Sequence, residues 1–521
     1  MKKYLSLLLA LVMVLSLAAC GGAPAEAPAE TEAAAENAPA TEAKAEKPVE
    51  IKIWFHGSNV QPAASEKVMA ELNKYLVEKI NVELVPTWGT WGDFDTTVPQ
   101  AMQAGDDVDI YFTCNWSANE YNKYAKDGYF VKLDDMLEKY APELVKTIPE
   151  GIWECAKTNG LEGVGIYAVP GLKDTATQNC WDVNVSLFKE LGLEVPEKLD
   201  FFSDEFESYL AAAKEAKGAD FYPLLIEPAV LERMVTHSSI VGGDLPNPNV
   251  LSYYYDGEHP ATDMGSKIVN KFATPEFEAY SKRVYELGQK GYIAPQSMMQ
   301  GTSNDYLNAT RAAATYLIGT QVYAYGCEVE FAKTRGIEMK MIPETAPYMD
   351  ATAGQGAMMG ISATSKHPEK ALEFLNLLNT DPVVMTFVNY GVEGFTYEKN
   401  EDGTINFLEA RDQYSPWRNG VGNVRILPAT ADEGADYWER FAAYYDAAEV
   451  LPLGSFIMDK SELANEAGAI GNVAAQYAFN LCSGAVDPAT ELPKFLDELT
   501  AAGMDKFVES ANAQLDAFLA K

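Results

Sequence analysis

Residues 49–113 decide the fold: VEIKIWF (49–55), SEKVMAELNKYLVEK (65–79), NVELVP (81–86), DFDTTVPQAMQA (93–104) and VDIYFT (108–113). In the first run Val49, Ile51, Ile53 and Phe55 alternate with Glu50, Lys52 and Trp54, the period-two pattern of a strand with one buried face. The second run places Val68, Leu72, Tyr75 and Leu76 on one helical face behind Ser65, an N-capping residue type. The third reads as a strand, the fourth as a short helix stopped by Gly105, and the fifth as a strand. Strand, helix, strand, helix, strand predicts an α/β lobe with a parallel sheet and crossover helices.

In an open sheet of this kind ligands bind beyond the carboxyl ends of the strands. Those positions hold His56 after the first strand, Trp88 and Trp91 after the second, and Asn115 and Trp116 after the third. Each tryptophan taken alone suits core or loop packing as well as ligand contact, but their shared placement at one edge marks a candidate binding surface.

Downstream, residues 163–170 predict a short strand by which the chain leaves one lobe. Helices are expected over 184–191, 201–217, 276–291, 369–378, 433–450, 460–479 and 494–519, and strands over 315–318 and 337–342, so the C-terminal part is helix-rich. The side-chain oxygen of Asn184 is placed to cap the helix it opens. Asp106, Asp107 and Asp109 beside Gly105 read as a helix stop and strand start rather than a calcium loop.

The N-terminus carries Lys2 and Lys3, an apolar run over 4–17 and small residues before Cys20, the layout of a secretory signal rather than a membrane span. Leu17-Ala18-Ala19-Cys20 resembles the lipobox of bacterial lipoproteins, which implies a 1–20 signal peptide and lipid attachment, of the diacylglyceryl and palmitate kind, at Cys20. Residues 21–48 are Ala, Glu, Pro, Thr and Gly-rich, which predicts a disordered tether because such a segment buries too little apolar surface to offset its ordering entropy. The remaining length exceeds one usual core, so two lobes are expected.

The formal net charge is −36. The tether's six Glu are offset by Lys44 and Lys47, and the signal adds Lys2 and Lys3, so almost all of the excess lies in the folded body. Such a surface repels phosphate backbones and argues against a nucleic-acid partner. Apart from Cys20, Cys114, Cys155, Cys180, Cys327 and Cys482 are widely spaced and odd in number, so no disulfide framework is indicated and pairing stays open. No HExxH or Cys/His cluster suggests a metal, and no cofactor is expected.

Several phrases together resemble the extracellular solute-binding proteins of ABC importers, the group that contains the maltose-binding type: GYFVKLD (128–134), GIYAVP (165–170), NVSLFKELGLEVP (184–196), KHPEKALEFLNLLNTDP (366–382) and YGVEG (390–394). The last phrases and the helical C-terminus are similar to large lipoprotein members with an extra C-terminal domain of undefined function. The resemblance implies a two-lobed periplasmic-binding-protein-like fold (type II), with an N-terminal lobe of 49–168 and 344–380 and a C-terminal lobe of 169–343 and 381–521. It implies capture of a small solute, expected to be a carbohydrate or oligosaccharide, by hinge closure, and delivery to permease subunits by a monomer held on the outer face of the cell membrane by its lipid.

Sugars present apolar faces and hydroxyl rims, so aromatic platforms and donor–acceptor side chains are the candidate contacts. Trp54, Trp88, Trp91, Trp116, Trp181 and Trp417 are the platforms; Asn115, Gln178, Asn179, Asp182 and Gln355 are the rims. His56 and Glu393 are further candidates, although a lone histidine is more often a satisfied surface residue and a glutamate between Gly391 and Gly394 more often serves a turn. No catalytic residue is expected, since GxSxG, Walker and GxGxxG patterns are missing. Two other classes remain open: a surface-anchored polysaccharide-degrading enzyme, whose paired carboxylates no motif would reveal, and a sensory binding lipoprotein feeding a chemoreceptor or receptor kinase.

Overall fold

The alternation of residues 49–55 builds the Val49–Val60 strand of a six-stranded sheet. Ile51, Ile53 and Phe55 are buried while Lys52 and Trp54 are half-buried. In the computed structural model of the protein, residues 47–115, 120–243, 249–265, 267–299 and 305–520 are described. The signal with Cys20, the tether up to residue 46, and Trp116 lie outside the described residues.

Val82–Gly89 and Ile110–Thr113 pair in parallel with Val49–Val60, placing Ile53 opposite Pro86 and Ile110. The Pro62–Ile80 helix makes the first crossover; Pro62 fits its first turn, where no amide bond is lost, and Asn81 ends it in the left-handed conformation. Met358–Ile361 and Val169–Pro170 extend the sheet antiparallel. Tyr414–Pro416 pairs antiparallel with the end of the first strand, across a bulge between Gly57 and Asn59.

A second, four-stranded sheet runs in the order Met339–Pro343, Asn179–Asn184, Ile318–Val322, Leu224–Leu225. Two large apolar cores result. The first gathers Ile51, Leu72, Ile110, Leu144, Met358, Leu372, Val388 and Tyr445; the second gathers Trp181, Phe206, Leu231, Tyr280, Leu317, Phe495, Phe507 and Leu515. The chain passes between them three times, through 170–180, 343–357 and 446–450. The apolar residues between Val384 and Tyr445, expected with the second lobe, pack in the first core, because the Pro382–Tyr390 helix docks against Pro62–Ile80 and Pro368–Thr380.

Several element limits move for local reasons. The helix expected over 93–104 is two, Trp91–Asp95 and Thr97–Ala104. The strand expected at 315–318 is Ile318–Val322, set by its antiparallel pairing with Asn179–Val183 and by Ala314 at φ 50°, which turns the chain after the preceding helix. The helix expected over 433–450 covers only Tyr437–Asp446. The last expected helix is Pro488–Ala501 and Met504–Leu519, parted at Gly503, whose φ of 100° favours glycine. Asn184 does cap its helix, accepting from the amide of Leu187 at 3.0 Å. The five cysteines beyond Cys20 are free thiols.

Candidate functional site

His56 sits where the first strand's pairing changes hands. Its flank toward Val82–Gly89 ends at the His56–Gly89 pair, and Tyr414–Pro416 takes over beyond Gly57. That second pairing carries Trp417 to the site, where its amide donates to the His56 carbonyl at 3.3 Å. Trp91 arrives from the other side, at the first position of a helix fixed by a capping box. The Asp93 carboxylate accepts from the Thr90 amide at 2.8 Å, and the Thr90 hydroxyl accepts from the Asp93 amide.

These residues form an aromatic cluster. The His56 ring centroid is 3.8 Å from that of Trp91 and 5.5 Å from that of Trp417, and Trp91 and Trp417 meet edge to face at 5.0 Å. Phe94 and Phe112, which the sequence reading passed over, close the floor at 5.3 Å from each other. Gly89 permits this approach, since a Cβ there would meet Phe94 and Trp54 at 3.1 Å. Trp91 is 37% exposed whereas His56 is 4% exposed, so the indole forms the rim and the imidazole lies beneath it. Neither ring nitrogen of His56 has a hydrogen-bond partner among the described residues, and burial holds its pKa down at about 4, so the ring is neutral at neutral pH.

A polar chain begins at the end of the third strand. The Asn115 amide donates to the Gln355 carbonyl at 3.1 Å. The Gln355 side chain donates to the Cys155 carbonyl at 3.0 Å and accepts from Asn122 at 3.0 Å. Asn122 also donates to Glu120, at 2.9 Å. The side-chain oxygens of Asn115 and Asn122 are buried without a partner among the described residues. Asn122 was not foreseen, because nothing in a helical asparagine's neighbours signals its aim.

The other candidates are placed differently. Trp88 belongs to the packing: it stacks on Phe55 at 5.1 Å and donates to the Ser65 hydroxyl at 2.9 Å. Trp54 packs edge-on against Phe94 at 6.2 Å. Trp181 and Asp182 are fully buried in the second lobe, which removes both from any solute-facing surface. The Trp181 indole donates to Glu344 at 2.7 Å, and Asp182 pairs with Arg335 at 2.6 Å and accepts from Tyr316 at 2.9 Å. Alternation puts Asp182 and Trp181 on opposite faces of a strand covered on both sides, so burial follows from the sheet's coverage.

Gln178 lies where the chain crosses between cores, donating to the Thr345 carbonyl at 2.9 Å and accepting from Tyr444 at 2.7 Å. Asn179 donates to the Tyr348 hydroxyl at 3.4 Å in the same crossing. Glu393 is exposed and pairs with Lys399 at 2.9 Å, a surface contact remote from the aromatic cluster in partners and burial. Lys126 of the first lobe meets Asp459 at 3.2 Å; the Asp459 amide donates to Gln514 at 2.8 Å, and nearby Ile457 bridges to Gly242, both of the second lobe. Among the described residues no group of three His, Cys, Asp or Glu side chains is gathered to hold a metal ion, and no helix is long and apolar enough to cross a membrane.

Comparison with known proteins matches this architecture. A carbohydrate ABC transporter substrate-binding protein of Streptococcus pneumoniae is 26% identical over 490 residues, 93% of each chain. The crystal structure of an N-glycan transport solute-binding protein (NgtS) from Streptococcus pneumoniae superposes with a TM-score of 0.75 at 24% identity, covering 91% of this chain and 99% of that one. An extracellular solute-binding protein from Bifidobacterium longum subsp. infantis superposes with a TM-score of 0.63 at 17% identity, covering 90% and 98%. Residues 452–520 match a domain of unknown function, DUF3502. Residues 57–385 match the bacterial extracellular solute-binding proteins, and the chain belongs to that family.

Proposed function

We propose that this protein is the solute receptor of a carbohydrate ABC importer, holding a sugar or oligosaccharide between its lobes by hinge closure and passing it unaltered to permease subunits. The observation that carries the reading is the strand-end cluster of His56, Trp91 and Trp417, taken with the buried amide oxygens of Asn115 and Asn122, which have no partner among the described residues. Indole faces suit the C–H faces of pyranose rings, and buried amide oxygens accept from hydroxyls. The ligand contacts in this reading are Trp91, Asn115, Trp116, Asn122 and Trp417, with His56, Trp54 and Gln355 supporting them.

A solute touching both lobes binds the closed form more tightly and shifts the population toward it. In this reading the first lobe comprises 49–170 and 357–446 and the second 179–343 and 451–520, with three connecting segments as the hinge. The protein acts outside the cytoplasm as a monomer tethered through lipidated Cys20. Similar solved structures include the Streptococcus pneumoniae N-glycan protein in complex with Man1GlcNAc, which makes mannose- and N-acetylglucosamine-containing oligosaccharides the first class to try.

Calorimetric titration of residues 49–521 with such oligosaccharides, other sugars, peptides and amino acids tests the reading. One sugar class is expected to bind with the ligand recovered unchanged. Binding confined to peptides or amino acids, or product formed from a bound sugar, would overturn it.

A further inference from the structure

The second lobe contains a half-open cavity of about 320 Å³ that belongs to no part of the aromatic cluster. It lies between the Asp305–Ala312 helix and the Cys327–Arg335 helix, over the end of the Ile318–Val322 strand. Asn308, Arg311, Gln321, Phe331, Thr334 and Arg335 line it. Two guanidinium groups and three neutral polar side chains therefore face one cavity, and no carboxylate among the described residues does, in a chain with 76 acidic residues against 40 basic ones.

The two arginines are not equally satisfied. Arg335 is paired with buried Asp182 at 2.6 Å. Arg311 donates to the Thr320 carbonyl at 2.7 Å, its Nε is buried without a partner, and it has no carboxylate within ion-pair distance among the described residues. A guanidinium offers five N–H donors, and among the described residues one of these finds a partner. Asp182 and Glu227 act on Arg311 from a distance, with Arg335 opposing them, and desolvation is the largest influence, pulling its pKa below the usual arginine value. A partly buried cation without a close counter-charge is costly, and an oxyanion is the group whose geometry matches its planar fork.

We propose that this cavity is a second binding site, separate from the sugar cleft, for a small oxyanion of the carboxylate or phosphate type. Arg311 supplies the uncompensated charge, Arg335 reinforces the positive field from its fixed place on Asp182, and the neutral side chains of Asn308, Gln321 and Thr334 complete the lining. The Phe331 ring lies under the Arg335 guanidinium, 4.5 Å from centroid to carbon. The sugar reading and this one stand on different residues.

The test is titration of the whole folded body with inorganic phosphate, and separately with acetate and citrate, in buffer held at constant ionic strength with chloride. Thermal denaturation and NMR spectra with methyl-labelled Thr and Ala would be followed together. Saturable binding by phosphate or by a carboxylate is expected, with shifts at Thr334 and Ala312, and the arm that responds identifies the anion's class. Arg311→Gln should weaken it about tenfold or more. Gln321→Glu, which changes no side-chain size, should abolish the response by placing a carboxylate beside Arg311, while sugar binding persists. No saturable response in the unaltered protein, or a response that survives Gln321→Glu, would overturn the proposal.

Discussion

The imidazole of His56 lies 3.8 Å from the indole of Trp91, centroid to centroid, with the two planes 36° apart. An almost fully buried ring thus supports a partly exposed one.

His56 should therefore make stability depend on pH. In the unfolded chain the imidazole protonates as pH falls through about 6.5, whereas in the folded protein it stays neutral down to about 4. Unfolding then takes up a proton, so this contribution is complete above pH 6.5 and lost as pH falls toward 4. His56→Phe is expected to flatten the difference between stabilities at pH 7 and pH 4.5 by about 1–3 kcal/mol, read from urea unfolding at each pH. Parallel pH curves for the two proteins would contradict it.

Trp91 and Trp417 are expected to matter to ligand more than to folding. Trp91→Ala and Trp417→Ala should each weaken sugar binding about tenfold or more in calorimetry, since each removes an aromatic face beyond its contact area. Trp88→Ala should instead cost about 3–5 kcal/mol of stability, because it loses the stack on Phe55 and the bond to Ser65.

Asp182 should behave as a structural residue. Asp182→Ala leaves Arg335 buried without its partner, and chemical denaturation should show a loss of about 3–5 kcal/mol. Sugar affinity, measured below the unfolding transition, is expected to stay within about twofold, because neither Asp182 nor Arg335 belongs to the aromatic cluster.

Lys126 and Asp459 join the two lobes at 3.2 Å, with both side chains nearly half exposed. A pair of that kind contributes about 1 kcal/mol at most. Lys126→Glu is expected to lower sugar affinity up to about fivefold and to enlarge the radius of gyration in solution scattering. Lys126→Glu combined with Asp459→Lys should recover both, and failure to recover either would count against a latch.

Much of the first sheet was legible in the chain. Alternation over 49–55, the apolar stripe of 65–79 and the strand-like run of 108–113 are local patterns, and steric rules on crossover connections turn them into parallel neighbours. The same rules placed His56 and Trp91 at one edge.

Only the tertiary structure decided which candidates meet. Trp417 reaches His56 because Tyr414–Pro416 pairs with the end of a strand more than 350 residues earlier in the chain, and no local pattern encodes a pairing at that separation. Trp181 and Asp182 looked equally suited to a ligand, yet both are fully buried in the packing around their sheet. Local periodicity reports which face of an element is apolar. It does not report what covers the other face, and that is settled by the packing of the whole chain.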